Sequence, residues 1–398
     1  MKRHSVLIVG AGPAGLCAAL TLQRRGVSCL VLERVSKDKL FADVGGGYDV
    51  GLNSLKMLDR LGVGAAVRAQ GRKTSAVLSF TSDDALYDRM TLPQDVDAVG
   101  VLRSTLQRIF LDALDPALLR CQAKVVSVAS GADGVLVTLE GGEQLHGEVL
   151  VAADGAHSAV RRSVFPQDPP LQFCGLSCAW GRTPLDALPV EVAERMPAPD
   201  EAMSITGPGR ILLAGCPGDG WLWSAFWRTE GFAPESVGAL QTVQEQFADW
   251  GPRTKGLLRH ADPDSVVKVG IFDRDPVPSW TSGRSIVIGD AAHPMTPFLG
   301  QGANSAMIDA FILANLLVDG TPESAFEIFE ARRKAAMEKN VASARSLAGW
   351  MTTENRLSAF AFRTMMRLVP SALLLRALIS ADEVNDVSDL LPRIPEAA

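Results

Sequence analysis

The chain has 398 residues, of which 47% are hydrophobic and 21% are charged, and its formal net charge is −6. This length favours two domains or one domain with a large insertion, and the composition excludes a largely disordered chain or a membrane bundle. The acidic balance gives no electrostatic reason to expect a nucleic-acid partner, because phosphate-binding surfaces concentrate positive charge.

The first predicted elements are a strand at 6–9, a tight turn at 10–15, a helix at 14–25 and a second strand at 27–33. A strand, helix and strand in this order form a βαβ unit, which predicts a parallel sheet buried on both faces. The basic and apolar start superficially resembles a signal peptide, but three glycines at fixed spacing interrupt it. No apolar run is long enough to span a bilayer, so we expect a cytoplasmic protein without an integral membrane segment.

The turn reads GAGPAG, and each of its glycines has a physical reason. Gly10 permits the tight turn, Gly12 lets backbone amides approach a pyrophosphate, and Gly15 lets the helix pack closely on the strand. The anion would lie at the positive end of the helix dipole. Glu33 would accept hydrogen bonds from both ribose hydroxyls of an adenosine. The pattern predicts a bound dinucleotide but does not distinguish NAD from FAD.

The middle of the chain predicts a second domain. Residues 165–275 carry prolines, glycines and tryptophans in alternating patterns, which favours an antiparallel sheet. The expected fold class is α/β: a Rossmann-like domain with a parallel sheet, an antiparallel-sheet substrate domain and a C-terminal helical segment. The predicted dinucleotide-binding domain is discontinuous and comprises 1–73, 98–164 and 276–345. The antiparallel domain comprises 74–97 and 165–275, and the C-terminal helices comprise 346–398.

Two further motifs follow predicted strands. VLVAADGAHSAVRR runs from a buried strand into Asp154 and Gly155, and then into a short helix whose expected N-cap is Ser158. An Asp-Gly pair is also an ordinary connection, so this motif alone leaves its function open. The strand SIVIG ends at Asp290, and ligands of open parallel sheets bind at the carboxyl ends of strands.

The six cysteines are scattered: Cys17, Cys29, Cys121, Cys174, Cys178 and Cys216. A chain of this length does not depend on disulfides for a core, so these residues are expected to be small buried hydrophobes in a reducing compartment. No metal site is predicted, because the spaced pair Cys174 and Cys178 has no second Cys/His pair nearby.

In their order and separations, GAGPAG with Glu33, the Asp154–Gly155 segment and GDAAHPMTPFLGQGAN resemble the three fingerprints of the single-component FAD-dependent aromatic hydroxylases. That family includes para-hydroxybenzoate hydroxylase, salicylate hydroxylase and the tetracycline-inactivating monooxygenases. The resemblance covers nearly the whole chain and implies FAD as the dinucleotide. The positions implied in cofactor binding are Gly10, Gly12, Gly15, Glu33, Arg34, Arg103, Asp154, Asp290, Pro297, Gly300, Gln301, Gly302, Ala303 and Asn304.

The resemblance also implies roles and a reaction. Arg103 would lie beside the cofactor, Asp154 would support the flavin and the passing NAD(P)H, and Asp290 would bind the ribityl or pyrophosphate region. In this family NAD(P)H reduces the flavin, dioxygen adds to it, and the resulting C4a-hydroperoxide transfers one oxygen to an aromatic or polycyclic small molecule. The implied partners are therefore that substrate, O2 and NAD(P)H, and no metal is needed. We expect a monomer or a homodimer.

The loop after Asp290 has its own physical reason to contact a flavin. A reduced flavin carries negative charge at one ring edge, and unpaired amides at a helix N-terminus stabilise an anion. Such amides precede the helix predicted at 305–317. Pro294 and Pro297 stiffen the approach, and Pro294, Gly300 and Gly302 form the expected catalytic flavin environment. His293 either braces the loop or transfers a proton.

The substrate is expected between the flavin edge and the antiparallel sheet. In WLWSAFW, Trp221, Trp223 and Trp227 share one strand face, and they either wall an aromatic pocket or pack beneath a helix. Trp180 and Arg182 resemble a Trp-Arg strand of the family, although a glycine separates them here. The predicted substrate-pocket residues are Trp180, Arg182, Trp221 and Trp223.

Alternatives stay open for the C-terminal helix and for the reaction. Residues 357–379 predict an apolar amphipathic stretch interrupted by Pro370, and its arginines permit a membrane-surface helix, although we favour a cap over the pocket. A flavin-dependent halogenase would need Ile-Pro after the tryptophan pair, which WLWSAF lacks. A non-catalytic FAD-binding redox or ligand-binding protein would oxidise NAD(P)H without an oxygenated product.

Overall fold

The computed structural model describes residues 3–40, 46–94, 96–232, 238–369, 373 and 382–395. Its strands are β1 (Arg3–Val9), β2 (Cys29–Leu32), β3 (Gly47–Val50), β4 (Arg72–Lys73), β5 (Ala76–Thr81), β6 (Leu86–Thr91), β7 (Val99–Leu102), β8 (Leu119–Arg120), β9 (Val125–Gly131), β10 (Gly134–Leu139), β11 (Gln144–Ala152), β12 (Gln172–Pro184), β13 (Glu201–Gly207), β14 (Arg210–Gly215), β15 (Gly220–Arg228), β16 (Val267–Asp273), β17 (Thr281–Ser282) and β18 (Ser285–Val287). Its α-helices are α1 (Pro13–Arg24), α2 (Lys37–Leu40), α3 (Leu52–Arg60), α4 (Gly64–Gln70), α5 (Arg103–Ala113), α6 (Ala159–Val164), α7 (Val190–Ala193), α8 (Ala239–Gln246), α9 (Pro252–Arg259), α10 (Gly302–Asp319), α11 (Pro322–Met351) and α12 (Arg356–Leu368).

A mixed sheet joins the motifs from the two halves of the chain. Its strands β18, β11, β1, β2 and β8 are parallel neighbours in that order, and β9 and β10 extend β11 as an antiparallel hairpin. All of β2 is buried, and α1 packs against the largely buried helix α10. Because β1, β11 and β18 are adjacent, the turns that follow them meet at one sheet edge. The predicted parallel sheet is confirmed.

A second sheet has the order β16, β12, β15, β14, β13, β5 and β6, and its pairs are antiparallel except for β13 with β5. Its outer strands β5 and β6 come from the segment 74–97 that the sequence assigned to this domain. Helices α8 and α9 pack on one of its faces. Strands β3, β7 and β4 form a third, small sheet in that order. The predicted combination of a Rossmann-like sheet with an antiparallel sheet is therefore confirmed.

The C-terminal part of the chain contributes both separate helices and core residues. Helices α11 and α12 pack against each other, and Pro370 and Arg376 of the predicted amphipathic stretch lie outside the described residues. Further on, Val387, Leu390 and Ile394 belong to the same hydrophobic core as the parallel sheet. Within the described ranges, no helix combines the length and the apolar character needed to cross a bilayer.

Candidate active site

The turn between β1 and α1 contains two glycines that the protein's own packing requires and one that it does not. A Cβ at Gly15 would lie 1.9 Å from the Gly10 carbonyl oxygen, and a Cβ at Gly10 would lie 2.5 Å from the Ala153 carbonyl oxygen. A Cβ at Gly12 would meet no described atom within 4 Å. Gly12 is also the N-cap of α1, whose first N–H groups lack intrahelical partners. The space beside Gly12 therefore suits an anion such as a pyrophosphate.

Glu33 follows β2 and lies against this turn. Its Oε2 accepts a hydrogen bond from the Ala11 N–H at 2.8 Å, and its Oε1 accepts one from the Val35 N–H at 3.0 Å. Each carboxylate oxygen keeps a second lone pair, so the two ribose hydroxyls of an adenosine can still donate to it. The side chain is buried, whereas that of the next residue, Arg34, is exposed.

Asp154 follows β11, and only one of its two carboxylate oxygens accepts hydrogen bonds from the described residues. Its Oδ2 accepts hydrogen bonds from the N–H groups of Ala159 at 2.8 Å and Val160 at 3.2 Å, at the start of α6. Ser158 caps the same helix as predicted, since its Oγ accepts from the Arg161 N–H at 2.8 Å. Burial raises the pKa of Asp154, and its buried Oδ1 has no partner in the described part of the chain. The Asp-Gly segment thus forms the ordinary connection into a helix. In addition, the unpaired Oδ1 of Asp154 is an acceptor to which a ligand or a water molecule can donate.

Helix α5 carries two further unused polar atoms, and one of them belongs to a side chain beside the glycine turn. The Nε of Arg103 and the Oε1 of Gln107 are buried without a hydrogen-bond partner among the described residues. Gln107 Nε2 donates to the Ala11 carbonyl oxygen at 3.0 Å, which places this side chain beside GAGPAG. Gln107 was not predicted from the sequence. Gln107 lies one helical turn after Arg103, and residues four apart share a helix face. This spacing could have identified Gln107 in the sequence.

Asp290 lies near Arg103 and the N-terminus of α10. Burial raises the pKa of Tyr48 to about 12, and the charges of Arg103, which lowers this pKa, and of Asp290, which raises it, both act on the same side chain. The Asp290 side chain is accessible to solvent, yet the surrounding protein desolvates its carboxyl group and raises its pKa. A Cβ at Gly302, the first residue of α10, would lie 4.0 Å from Asp290 Oδ1. The carboxylate and the helix N-terminus therefore border one cleft.

The loop from Asp290 to α10 has the stiff shape that its prolines and glycines predict. Pro294 is buried, whereas Pro297 is exposed and begins the 3-10 turn Pro297–Leu299. Gly300 follows with a φ of +65°, a left-handed conformation that favours glycine, and its N–H donates to the Pro297 carbonyl oxygen at 2.9 Å. The chain then enters α10, where the first N–H groups have no carbonyl within the helix to bond.

A buried ionic network anchors this loop. Asp309 of α10 is fully buried and accepts hydrogen bonds from the Gly289 N–H at 3.1 Å, His293 Nε2 at 2.6 Å and Arg333 Nε at 2.6 Å. Burial raises the pKa of Asp309, but the charges of Arg333 and His293 outweigh burial and hold it below its usual value. His293 is buried and bonded to Asp309, which is the bracing arrangement of the two that the sequence left open.

The side chains of Gln301 and Asn304 fasten the same loop to distant segments. Gln301 Oε1 accepts from Asn385 Nδ2 at 3.0 Å, and Asn385 Oδ1 accepts from Arg333 Nη2 at 3.0 Å. Asn304 Nδ2 donates to the Asp49 carbonyl oxygen of β3 at 2.8 Å. Both side chains are thus committed to the protein, so a cofactor would meet the backbone amides at these positions.

The tryptophans of β15 lie on the face of the antiparallel sheet that α8 and α9 cover. Trp221, Trp223 and Trp227 pack with residues of these helices in one core cluster, and Trp221 and Trp223 are only 1% and 0% exposed. The opposite face points to the Asp290 loop, because Phe226 lies 4.9 Å from Phe298 between ring centroids. The prediction that Trp221 and Trp223 line the substrate pocket is therefore wrong, and they pack beneath helices instead.

The face of the sheet that meets the Asp290 loop carries the other two predicted pocket residues. Trp180 is half-buried and packs on the same cluster as Phe298. Arg182 lies two residues further along β12 and therefore on the same face, and it forms an ion pair with Asp219. Leu222 of β15 is the register partner of Arg182. A Cβ at Gly47 of β3 would lie 2.7 Å from Cδ2 of Leu222. Leu222 was not selected from the sequence.

Comparison with known proteins identifies the group that this cleft accommodates. The family described as FAD binding domain matches residues 3–344. The 3-amino-4-hydroxybenzoate 2-monooxygenase PtmB3 of Streptomyces platensis is 31% identical over 345 residues, which cover 83% of this chain and 84% of that protein. The chain belongs to the FAD-dependent aromatic hydroxylases.

Other similar proteins match still more of the chain. The 2-heptyl-3-hydroxy-4(1H)-quinolone synthase of Pseudomonas aeruginosa is 28% identical over 92% of this chain and 95% of that protein. The crystal structure of Klebsiella pneumoniae HpxO complexed with FAD and uric acid shares the fold, with a TM-score of 0.85 and 23% identity over 96% of this chain and 97% of that one. The family and the FAD cofactor predicted from the sequence are confirmed.

The hydroxylase cleft also fits FAD on its own geometry. The space beside Gly12 at a helix N-terminus suits the pyrophosphate, and Glu33 has free lone pairs for a ribose. The unused buried atoms of Arg103, Gln107 and Asp154 supply a donor and acceptors of the kind that the polar parts of FAD require.

Proposed function

We propose that this FAD-dependent hydroxylase uses NAD(P)H and O2 to place one oxygen atom on an aromatic or polycyclic small molecule. In the balanced reaction, an aromatic C–H, O2, NAD(P)H and a proton give the hydroxylated product, water and NAD(P)+. FAD, when bound, takes electrons from NAD(P)H and activates dioxygen. The observation that supports the proposal is the braced N-terminus of α10 beside Asp290, because it would offer fixed backbone donors to negative charge on a bound flavin.

The residues of the first turn bind the cofactor in this proposal. The amides around Gly12 and the N-terminus of α1 hold the pyrophosphate, with Gly10 and Gly15 giving the close packing that brings them together. Glu33 accepts the ribose hydroxyls, and the exposed Arg34 borders the adenosine. These contacts are the same in oxidised and reduced cofactor, so they contribute to affinity and not to the rate of the chemical step.

The residues of the second and third motifs orient the reactive end. Asp154 Oδ1 and the side chains of Arg103 and Gln107 supply hydrogen-bonding atoms to the polar edges of the ring system, and Asp290 binds the ribityl chain. The N–H groups at the start of α10, from Gln301 to Asn304, would stabilise negative charge on a bound flavin. Pro294, Pro297 and Gly300 give the loop between Asp290 and α10 its stiff shape.

The substrate pocket lies between this loop and the second sheet. Trp180, Phe298 and Leu222 supply aromatic and aliphatic surface on the face that meets the loop, which suits a planar ring. Arg182 adds a positive charge that its ion pair with Asp219 holds in place. An aromatic substrate also agrees with the hydroxybenzoate and the quinolone in the names of the two relatives.

The free cysteines support a reducing compartment, and we place the reaction in the cytoplasm, where NAD(P)H is available. All six cysteines are free thiols. Disulfides form and persist in oxidising compartments, so thiols of this number are typical of proteins kept in reducing surroundings.

The test is to measure NAD(P)H oxidation by the purified yellow protein with phenolic, quinolone and polycyclic compounds, and to analyse the products by mass spectrometry. The expected result is stimulation by one class of compound with a product that has gained one oxygen atom. Stimulated NAD(P)H oxidation that yields only hydrogen peroxide for every compound would contradict the proposal and favour a redox or ligand-binding protein. NADH and NADPH are compared in the same assay.

A further inference from the structure

Helix α12 turns an apolar face to solvent. Its inner side buries Ala359 and Phe362, and the helix packs against α11 and the edge strand β6. Its outward face exposes four large apolar side chains: Leu357 (76%), Phe360 (61%), Met365 (51%) and Leu368 (75%). Single exposed apolar residues are common, but a contiguous face of this kind marks an interaction surface. The outer side of α12 is unpartnered among the described residues, and the cap over the pocket stays a prediction, because most of residues 370–379 lie outside them.

A row of arginines borders the outward face. Arg356, Arg363 and Arg367 are spaced by seven and four residues, so they follow one flank of the helix between its inner side and its outward face. Arg356 and Arg367 are exposed. Arg363 is half-buried and near Asp83, whose pKa is lowered by a hydrogen bond with Thr81 and further by the Arg363 charge.

The charge of this segment is opposite to that of the whole protein. Residues 355–381 contain four arginines and no aspartate or glutamate, whereas the chain has a net charge of −6. The segment is also rich in leucine beyond α12, and Leu373 is 56% exposed. Trp350, six residues before the helix, is 54% exposed, and tryptophan is enriched where proteins meet the membrane interface.

We infer that the outward face of α12 docks this protein on the surface of an anionic phospholipid bilayer, with the helix axis parallel to the membrane. The leucines, Phe360 and Met365 enter the boundary between headgroups and acyl chains, while the flanking arginines bind lipid phosphates. A second copy of the chain fits this surface less well, because a symmetric contact would bring equivalent arginine rows together. This inference is independent of the proposed reaction.

The experiment is flotation of the full-length, FAD-loaded protein with vesicles of phosphatidylcholine alone or of an equimolar mixture with phosphatidylglycerol. We expect the protein to bind the anionic vesicles about tenfold more strongly than the neutral ones, because basic residues near an anionic surface each add to the affinity. Raising the salt concentration should remove most of this difference.

Matched variants distinguish binding through this face from nonspecific adsorption to the vesicles. The double variant Leu357→Glu/Leu368→Glu should lose about tenfold or more in binding to anionic vesicles, because it removes the inserted side chains. The control Val190→Glu alters another apolar side chain, 69% exposed on α7, and should bind as the unchanged protein does. Arg356→Gln/Arg367→Gln should lose roughly fivefold per arginine at low salt. Flavin absorbance and circular dichroism confirm that each variant is folded.

Three results would overturn the inference. One is the absence of flotation with anionic vesicles, and another is equal binding by the unchanged protein and the leucine double variant. The third is a concentration-dependent dimer, seen by analytical ultracentrifugation, that the leucine double variant abolishes while no vesicle binding is found. That outcome would assign the outward face to contact between copies of the chain.

Discussion

The two ends of the proposed FAD cleft are held by different kinds of interaction. At the adenosine end, the turn from Gly10 to Gly15 and the carboxylate of Glu33 lie within one short βαβ unit. At the flavin end, the loop after Asp290 is held by side chains of α11 and of the C-terminal segment. The contacts between the glycine turn and Glu33 are therefore local, whereas those of the loop after Asp290 form only when distant parts of the chain have packed. Substitutions at the first end should therefore act on FAD affinity, whereas those that break the long-range contacts of the second end should act on stability.

The largest expected effect is at the flavin end, for Asp309→Asn. The substitution leaves the buried charge of Arg333 without its partner, which costs about 3–5 kcal/mol in the free energy of unfolding. Urea denaturation of the FAD-loaded protein measures this cost. The matched control is Asp389→Asn, because Asp389 pairs with the neighbouring Arg332 on the surface and such pairs contribute about 0–1 kcal/mol. Equal losses in the two variants would contradict the proposed brace.

The next effect is at the adenosine end, for Gly12→Val. The new side chain fits the protein, since a Cβ at this position would have no described atom within 4 Å, but it fills the space assigned to the pyrophosphate. Losing one or two charge-assisted hydrogen bonds, each about 1.5–3 kcal/mol, should weaken FAD binding about 100-fold while the fold is kept. Fluorescence titration with FAD and circular dichroism measure the two quantities.

Gly141→Val is the control for that variant, because a Cβ at Gly141 would also have no described atom within 4 Å and this glycine lies in a turn far along the chain. It should bind FAD as the unchanged protein does. Retention of full FAD affinity by Gly12→Val would remove the proposed role of this glycine.

A smaller effect is expected for Gly302→Ile at the N-terminus of α10. The added side chain would project toward Asp290 and keep the first amides of the helix away from the ring. Since charge stabilisation at a helix N-terminus reaches at most about 2 kcal/mol, the reduction potential of bound FAD should fall while the protein stays folded. Potentiometric titration with a reference dye measures it. An unchanged potential in a variant that retains FAD would contradict the proposed role of these amides.

The smallest effects should distinguish the two faces of the second sheet. Trp180→Phe should raise the KM for an aromatic substrate by an amount equivalent to about 0.5–1.5 kcal/mol and leave the unfolding free energy nearly unchanged. Trp223→Phe should instead lower stability by about 1 kcal/mol, because it removes the hydrogen bond from Trp223 Nε1 to Thr183 Oγ1, and leave KM unchanged. Steady-state kinetics and denaturation on both variants test the assignment, and the reverse pattern would return the β15 tryptophans to the pocket.

Local features of this fold were predictable from the sequence, and long-range ones were not. GAGPAG, the Ser158 cap and the entry into α10 depend on neighbours within a few residues, so their patterns show in the sequence itself. Asp309 and Arg333 are 24 positions apart, and nothing in either helix marks them as partners. Their pairing follows from how α10 and α11 pack.

The tryptophans of β15 show a second limit. Alternation in WLWSAFW correctly puts Trp221, Trp223 and Trp227 on one face, because successive side chains of a strand point to opposite sides. Both faces of this sheet are covered, one by α8 and α9 and the other by the Asp290 loop. An alternating pattern identifies residues that share a face of the sheet. It does not tell which other part of the protein packs on that face.

Asn385 joins two of the contacts that hold the loop after Asp290. Its side chain donates to Gln301 and accepts from Arg333, so the N-terminus of α10 and the buried ion pair with Asp309 depend on the same amide group. A chain that lost this one side chain would loosen both together, while the glycine turn between β1 and α1 would keep its shape.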